Sequence, residues 1–289
     1  MSLTPFVFFA VLLAALCHAS WNAVVKTGKD KLISQTLVNA IPGIVSLFAL
    51  PFLPFPAPES WPYLLLSTLI HQAYYATLLF AYRHGDLSQV YPVARGLAPA
   101  MVATAAWILA GETLQGWDIL GLASATLGIV TISRLFPLGS SWRKRRPGET
   151  HGLVFAFLTA VMIASYSVTD GLGVRLSGSP TSYIAWLFFL EAIPLLGFTF
   201  WLRRGQIVRS FRPVLITGLT GGLLSGLAYG IVIWAMSVAP LAHVVALRET
   251  SVIMAAIIGT RLLGEPFGRS RVLSAFLVAG GIAVMQLSG

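Results

Sequence analysis

Apolar residues run in ten stretches, at roughly 4–25, 32–53, 62–82, 88–109, 116–136, 151–173, 181–201, 213–236, 240–262 and 270–287. Each is about the twenty residues that a helix needs to cross a hydrocarbon layer. Inside hydrocarbon every backbone N–H and C=O must find its partner within the segment, so each stretch is predicted to be a helix. The polar interruptions are short. The longest, 137–150, carries Trp142-Arg143-Lys144-Arg145-Arg146-Pro147-Gly148 and divides the chain into 1–136 and 151–289, with five stretches in each part. The pattern predicts an all-α polytopic membrane protein with ten transmembrane helices and a basic hinge between its halves. No Lys or Arg precedes the first stretch, so it lacks the basic start of a secretory signal and is expected to remain as a helix.

Composition agrees. The chain is 56% hydrophobic and 10% charged, with a mean hydropathy of +0.81, whereas about 25% charge is usual for a soluble domain. The net charge of +9 would suggest nucleic acid in a soluble protein, but its placement excludes that partner. The loops after spans 1, 3, 5, 7 and 9 hold 16 of the 19 Lys and Arg residues, and the other side holds only Arg175. Basic loops stay in the cytoplasm, so both termini are expected outside it, in the inner (plasma) membrane of a cell. Reporter fusions at Gly148 and at the C-terminus should therefore report opposite compartments; one shared compartment would rule out five spans in the second half. The single cysteine, Cys17, allows no intrachain disulfide.

The chain repeats itself. Arg95–Ile129 aligns without gaps on Arg248–Ile282, with identities at Arg95/Arg248, Met101/Met254, Gly111/Gly264, Glu112/Glu265 and Gly128/Gly281 among others. A weaker match sets Ala19-Ser20-Trp21-Asn22 beside Ala164-Ser165-Tyr166-Ser167. Five spans per half is an odd number, so the two halves must be inverted with respect to the membrane. Inverted repeats mark secondary transporters, whose binding site lies near the midplane where the repeats meet.

The paired segments "YPVARGLAPAMVATAAWILAGETLQGWDILG" and "LRETSVIMAAIIGTRLLGEPFGRSRVLS" each read as a helix followed by a Gly-Glu turn. In this the chain resembles the drug/metabolite transporter superfamily, and within it the ten-helix EamA-type members. The resemblance implies that spans 1, 3, 4, 6, 8 and 9 surround a central cavity and that the seventh is peripheral. It also implies export of amino acids or other metabolites. Small four-helix relatives carry a proton-coupling Glu in their first helix; this chain has His18, Trp21 and Asn22 there, so that mechanism is not carried over.

Ionisable groups at membrane depth are functional candidates by default. Arg95 lies about eight residues, or roughly 12 Å, into the fourth span, and Arg248 is equally deep in the ninth from the opposite side. They can hold a carboxylate or phosphate, or bind helix-end carbonyls and Glu249 as locks between the halves. His71 and Tyr75 share a face of the third span, followed by Tyr82, and with His243 of the ninth span they complete the expected substrate-binding set. Asp170 and Glu249 are further polar candidates. His18, Trp21 and Asn22, with the repeat mates Tyr166 and Ser167, are expected to form two gates, one per membrane face. Glu191 stands alone in the seventh span, and its expected peripheral position keeps it off the site. Glu112 and Glu265 are read as structural. Gly218, Gly222, Gly226 and Gly230 make a bare ridge along the eighth span for close helix packing.

These residues predict a secondary transporter working by alternating access, with amino acids, aromatic ones among them, as the expected export substrates. Phosphosugars, nucleotide-sugars and cationic drugs are the alternatives within that class. A membrane-embedded enzyme on lipid-linked substrates is the alternative outside it, but no nucleophile or metal cluster with ligand spacing appears. No P-loop is present, so no cofactor, metal or ATP is expected. The expected partners are the small-molecule substrate and the lipid bilayer, with a single copy of the chain as the working unit.

Overall fold

A computed structural model describes residues 3–26, 30–84, 93–132, 149–204, 214–263 and 269–287. The hinge expected at 137–150 falls almost wholly outside these residues, as do Glu265 and the side chain of Tyr82. The helices are α1 (Pro5–Lys26), α2 (Lys31–Ala49), α3 (Trp61–His84), α4 (Ala98–Ala110), α5 (Gly116–Ile132), α6 (Glu149–Leu176), α7 (Pro180–Leu202), α8 (Leu215–Val238), α9 (Leu241–Arg248), α10 (Ser251–Leu263) and α11 (Arg269–Leu287). Seven helical segments among the described residues are long and apolar enough to cross a membrane. With α5, the pair α9–α10 and α11, they make ten spans in two five-span repeats.

The outer surface is more apolar than a water-soluble protein would tolerate. On α1, Phe6, Phe9, Leu13 and Leu16 are exposed, while Val7, Val11, Ala14 and Ala15 are buried. Bulky residues face lipid, and small ones face the neighbouring helices. Lipid tails are as apolar as leucine, so close packing rather than hydrophobicity selects the inner face.

Contacts between loops follow the alternation that ten spans require. Asp30 caps α2, accepting from the backbone N–H groups of Leu32 and Ile33, and pairs with Arg203 at the end of α7 at 2.6 Å. His84 lies 6.3 Å from His151. These contacts join the ends after spans 1, 3, 5 and 7 on one face. On the other face Arg175 pairs with Glu112 at 2.8 Å and donates to the carbonyls of Met236 and Ala239.

The Gly-Glu turn has a clear local cause. Gly111 ends α4 with φ of 65°, a left-handed conformation that glycine adopts at no steric cost. Glu112 then reaches the start of α9, where its carboxylate accepts from the Leu241 N–H at 2.9 Å. A carboxylate at a helix N-terminus satisfies a free donor and complements the helix dipole. The glycine ridge of α8 packs on α2: a Cβ at Gly218 would strike Leu37, one at Gly222 would come within 2.6 Å of Ile41 and one at Gly226 within 2.9 Å of Pro42. Gly230 meets Ile184 of α7 at an ordinary 3.5 Å.

The ninth span departs from the continuous helix expected at 240–262. It breaks at Glu249 and Thr250, between α9 and α10. The fourth breaks at Leu97, between a helical turn at 93–96 and α4. Leu97 and Thr250 are repeat mates, as are Arg95 and Arg248, so the two breaks are equivalent. Near Leu97 the cause is Pro99, which has no N–H to continue the ladder. A second sign of the internal symmetry is the hydrogen bond from Ser124 of α5 to the carbonyl of Leu277 of α11. These two residues are also mates, and equivalent residues can touch only beside the pseudo-twofold axis.

Candidate functional site

A cavity lies between the repeats. Its lining includes His18 and Trp21 of α1, His71, Tyr74 and Tyr75 of α3, Arg95 of the 93–96 turn, Tyr166 of α6, Tyr229 of α8 and Arg248 at the end of α9. It also includes Gln35 and Asn39 of α2 and Phe188 and Glu191 of α7, so α2 and the supposedly peripheral seventh span are both part of the wall.

Two charged groups stand on different walls. Where α1, the 93–96 turn and α9 meet, Arg95 Nη2 lies 3.0 Å from Glu249 Oε1, and Arg248 Nε lies 3.8 Å from the same oxygen. His18 is within electrostatic reach of both guanidiniums. Glu249 is wholly buried and sits behind the arginines, outside the cavity lining. Taken by itself the sequence makes Arg248 the better held, because Glu249 adjoins it. The structure gives the closer contact to Arg95, since adjacent residues on a helix point about 100° apart and the break at Glu249 turns its side chain to the fourth span.

On the α3–α7 wall, His71 Nδ1 lies 2.8 Å from Glu191 Oε1. The same nitrogen is 2.9 Å from the Ser67 carbonyl. Tyr166 stacks on the imidazole with ring centroids 4.1 Å apart, and Tyr229 meets it edge-on at 5.6 Å. Tyr75 donates to Asn39 Oδ1 at 2.7 Å. Asp170, behind this wall, accepts from the hydroxyls of Tyr183 and Tyr229. Tyr75 and Tyr229, which both line the cavity, are thereby held by their hydroxyls.

The cavity therefore unites His71, Tyr75, Arg95, Arg248, His18, Trp21 and Tyr166. Three candidates fall elsewhere. His243 Nε2 lies 3.1 Å from Asp118 Oδ1, in a buried pair joining α9 to α5. Asn22 donates to the His18 carbonyl of its own helix. Ser167 is fully buried in α6 outside the lining. Trp21 donates to His18 Nδ1 at 3.3 Å, so it belongs with the arginine group, while its mate Tyr166 belongs with the histidine–glutamate group. Sequence reasoning missed Glu191, which carries a usable signal: a carboxylate in mid-span requires a partner, and His71 of the third span is at a similar depth.

The EamA-like transporter family model matches residues 5–134 and again 150–287. The chain belongs to the EamA-like transporter family. The double match restates the two repeats, and this family is one of membrane transporters of small molecules. A solved structure described only as "Crystal structure of protein" is similar over 98% of this chain and 96% of its own, with a TM-score of 0.74 and 17% identity. At that identity the likeness is one of fold. Comparison with curated proteins yields no match.

Proposed function

We infer that the protein exports zwitterionic amino acids, aromatic ones among them, across the inner membrane by alternating access, with both termini outside the cytoplasm. One observation carries the reading: a single cavity presents two arginines on one wall, a glutamate paired to histidine on another, and aromatic rings between them. A guanidinium can fork to both oxygens of an α-carboxylate. Glu191 is placed to take the α-ammonium, with His71 as its resting partner. Tyr74, Tyr75, Tyr166, Tyr229 and Phe188 offer faces for an apolar or aromatic side chain. A phosphosugar could engage the two arginines but brings no cation for Glu191. A cationic drug would meet Arg95 and Arg248.

The test is transport in proteoliposomes loaded with labelled phenylalanine, an amino-sugar-free phosphosugar or a lipophilic cation. Phenylalanine is expected to leave faster than from protein-free vesicles, and the other two are not. Glu191→Gln should weaken phenylalanine binding by about 2 kcal/mol, the scale of a charge-assisted hydrogen bond. His71→Gln, which keeps a hydrogen-bonding group beside Glu191, should reduce transport while the melting temperature stays near the parent's. Movement of the phosphosugar alone would overturn the amino-acid reading.

A further inference from the structure

The two repeats differ at one position that bears directly on the arginine wall. The mate of Glu249 is Gly96: Arg95-Gly96-Leu97 in the first repeat answers Arg248-Glu249-Thr250 in the second. One carboxylate, with no counterpart across the axis, is thus set against two equivalent arginines, at 3.0 Å from one and 3.8 Å from the other. It is wholly buried at the point where the ninth span breaks. Both arginines line the cavity and Glu249 does not. A carboxylate in the cavity would meet the same guanidiniums, and drawing them towards itself would take them from Glu249.

We propose that Glu249 is a tethered occupant of the anion site, holding Arg95 and Arg248 while the cavity is empty and yielding them to the carboxylate of a bound ligand. Taking Arg95 from Glu249 loosens a carboxylate that joins the two helix breaks, so anion binding unlatches the fourth span from the ninth. Carboxylates that reach the arginines are favoured, and ligands without one leave the latch closed. The proposal rests on the reading that the arginines receive an anionic group, and it needs no particular identity for the remainder of the ligand.

A ligand that must displace a competitor loses apparent affinity in proportion to the time the site is occupied. If Glu249 holds the arginines about nine-tenths of the time, its removal tightens carboxylate binding roughly tenfold. The experiment measures binding of phenylacetate, L-phenylalanine and phenethylamine to the purified full chain and to Glu249→Gln. The expected result is a roughly tenfold lower Kd for the carboxylate probes in the variant, with phenethylamine unchanged and slower turnover of any probe transported. Glu249→Asp, which keeps the charge but withdraws it by one methylene, should shift Kd in the same direction by less, and it decides the matter if Glu249→Gln does not fold. Carboxylate binding that is unchanged, weaker or undetectable in the folded variants overturns the latch and makes Glu249 a structural clamp. Tighter phenylacetate binding without phenylalanine binding would keep the latch and overturn the amino-acid reading. Phenylalanine transport with unchanged affinity in the variants would do the reverse.

Discussion

Replacing Arg95 with glutamine should lower stability by about 3–5 kcal/mol, the scale for breaking a buried ion pair from one side, and should abolish transport. The wholly buried carboxylate of Glu249 lies 3.0 Å from Arg95 and 3.8 Å from Arg248. Losing Arg95 leaves that charge against its more distant partner in a low-dielectric interior, where water cannot compensate it. The same substitution at Arg248 should cost less stability. Melting temperatures of the two purified variants, with and without phenylalanine, separate the roles. Equal destabilisation, or a larger loss at Arg248, would mean that Glu249 is not chiefly held by the fourth span.

A leucine at Gly281 should prevent folding, whereas a leucine at the adjacent Gly280 should be harmless. A Cβ at Gly281 would collide with the backbone carbonyl of Gly121 and come within 2.7 Å of the Ala125 nitrogen, and a Cβ at Gly121 would collide with the carbonyl of Gly281. The obstacles are main chain on both sides, so no side-chain rotation relieves the clash. The penalty should exceed the usual range of about 1–3 kcal/mol for overpacking. Gly280 is exposed and has nothing within 4 Å of its Cβ position, so it isolates helix propensity from packing. Yield of monodisperse protein after size-exclusion chromatography is the measurement. Comparable yields for the two variants would show that α5 and α11 separate easily.

Much of the architecture is legible from single positions. Loop arginines and lysines set the alternation of the spans, and the contacts of Asp30 with Arg203 and of Arg175 with Glu112 join loops that the alternation places on the same face. The Arg95/Arg248 and Gly111/Gly264 identities announce the repeat before any helix is seen. His71 and Tyr75, four residues apart, share a face because helix geometry leaves no other arrangement. The partners of Glu191 and Gly281 were not legible in this way. The importance of each depends on a residue far along the chain, His71 or Gly121, that happens to stand beside it.

Hydrophobic length, charge placement and internal repetition, all present in the sequence, determine that this chain is a ten-span, two-repeat membrane protein. These properties act through the bilayer, a solvent that reads each segment separately: a span is inserted because it is apolar and oriented because its flanks are basic. Which face of each span looks inward is a different matter. Lipid and protein interior are equally apolar, so a helix such as α1 carries no hydrophobic stripe to show where the core lies. Only packing settles it, through small residues such as Ala14 and Ala15 that admit a neighbour while Phe6 and Phe9 remain in lipid. The tertiary structure likewise decided that Glu249 binds the arginine of the other repeat more closely than the one beside it, and that the seventh span supplies an acid to the cavity. An ion pair between distant segments exists only once both are in place, because its strength depends on a separation of a few ångströms that no local pattern encodes.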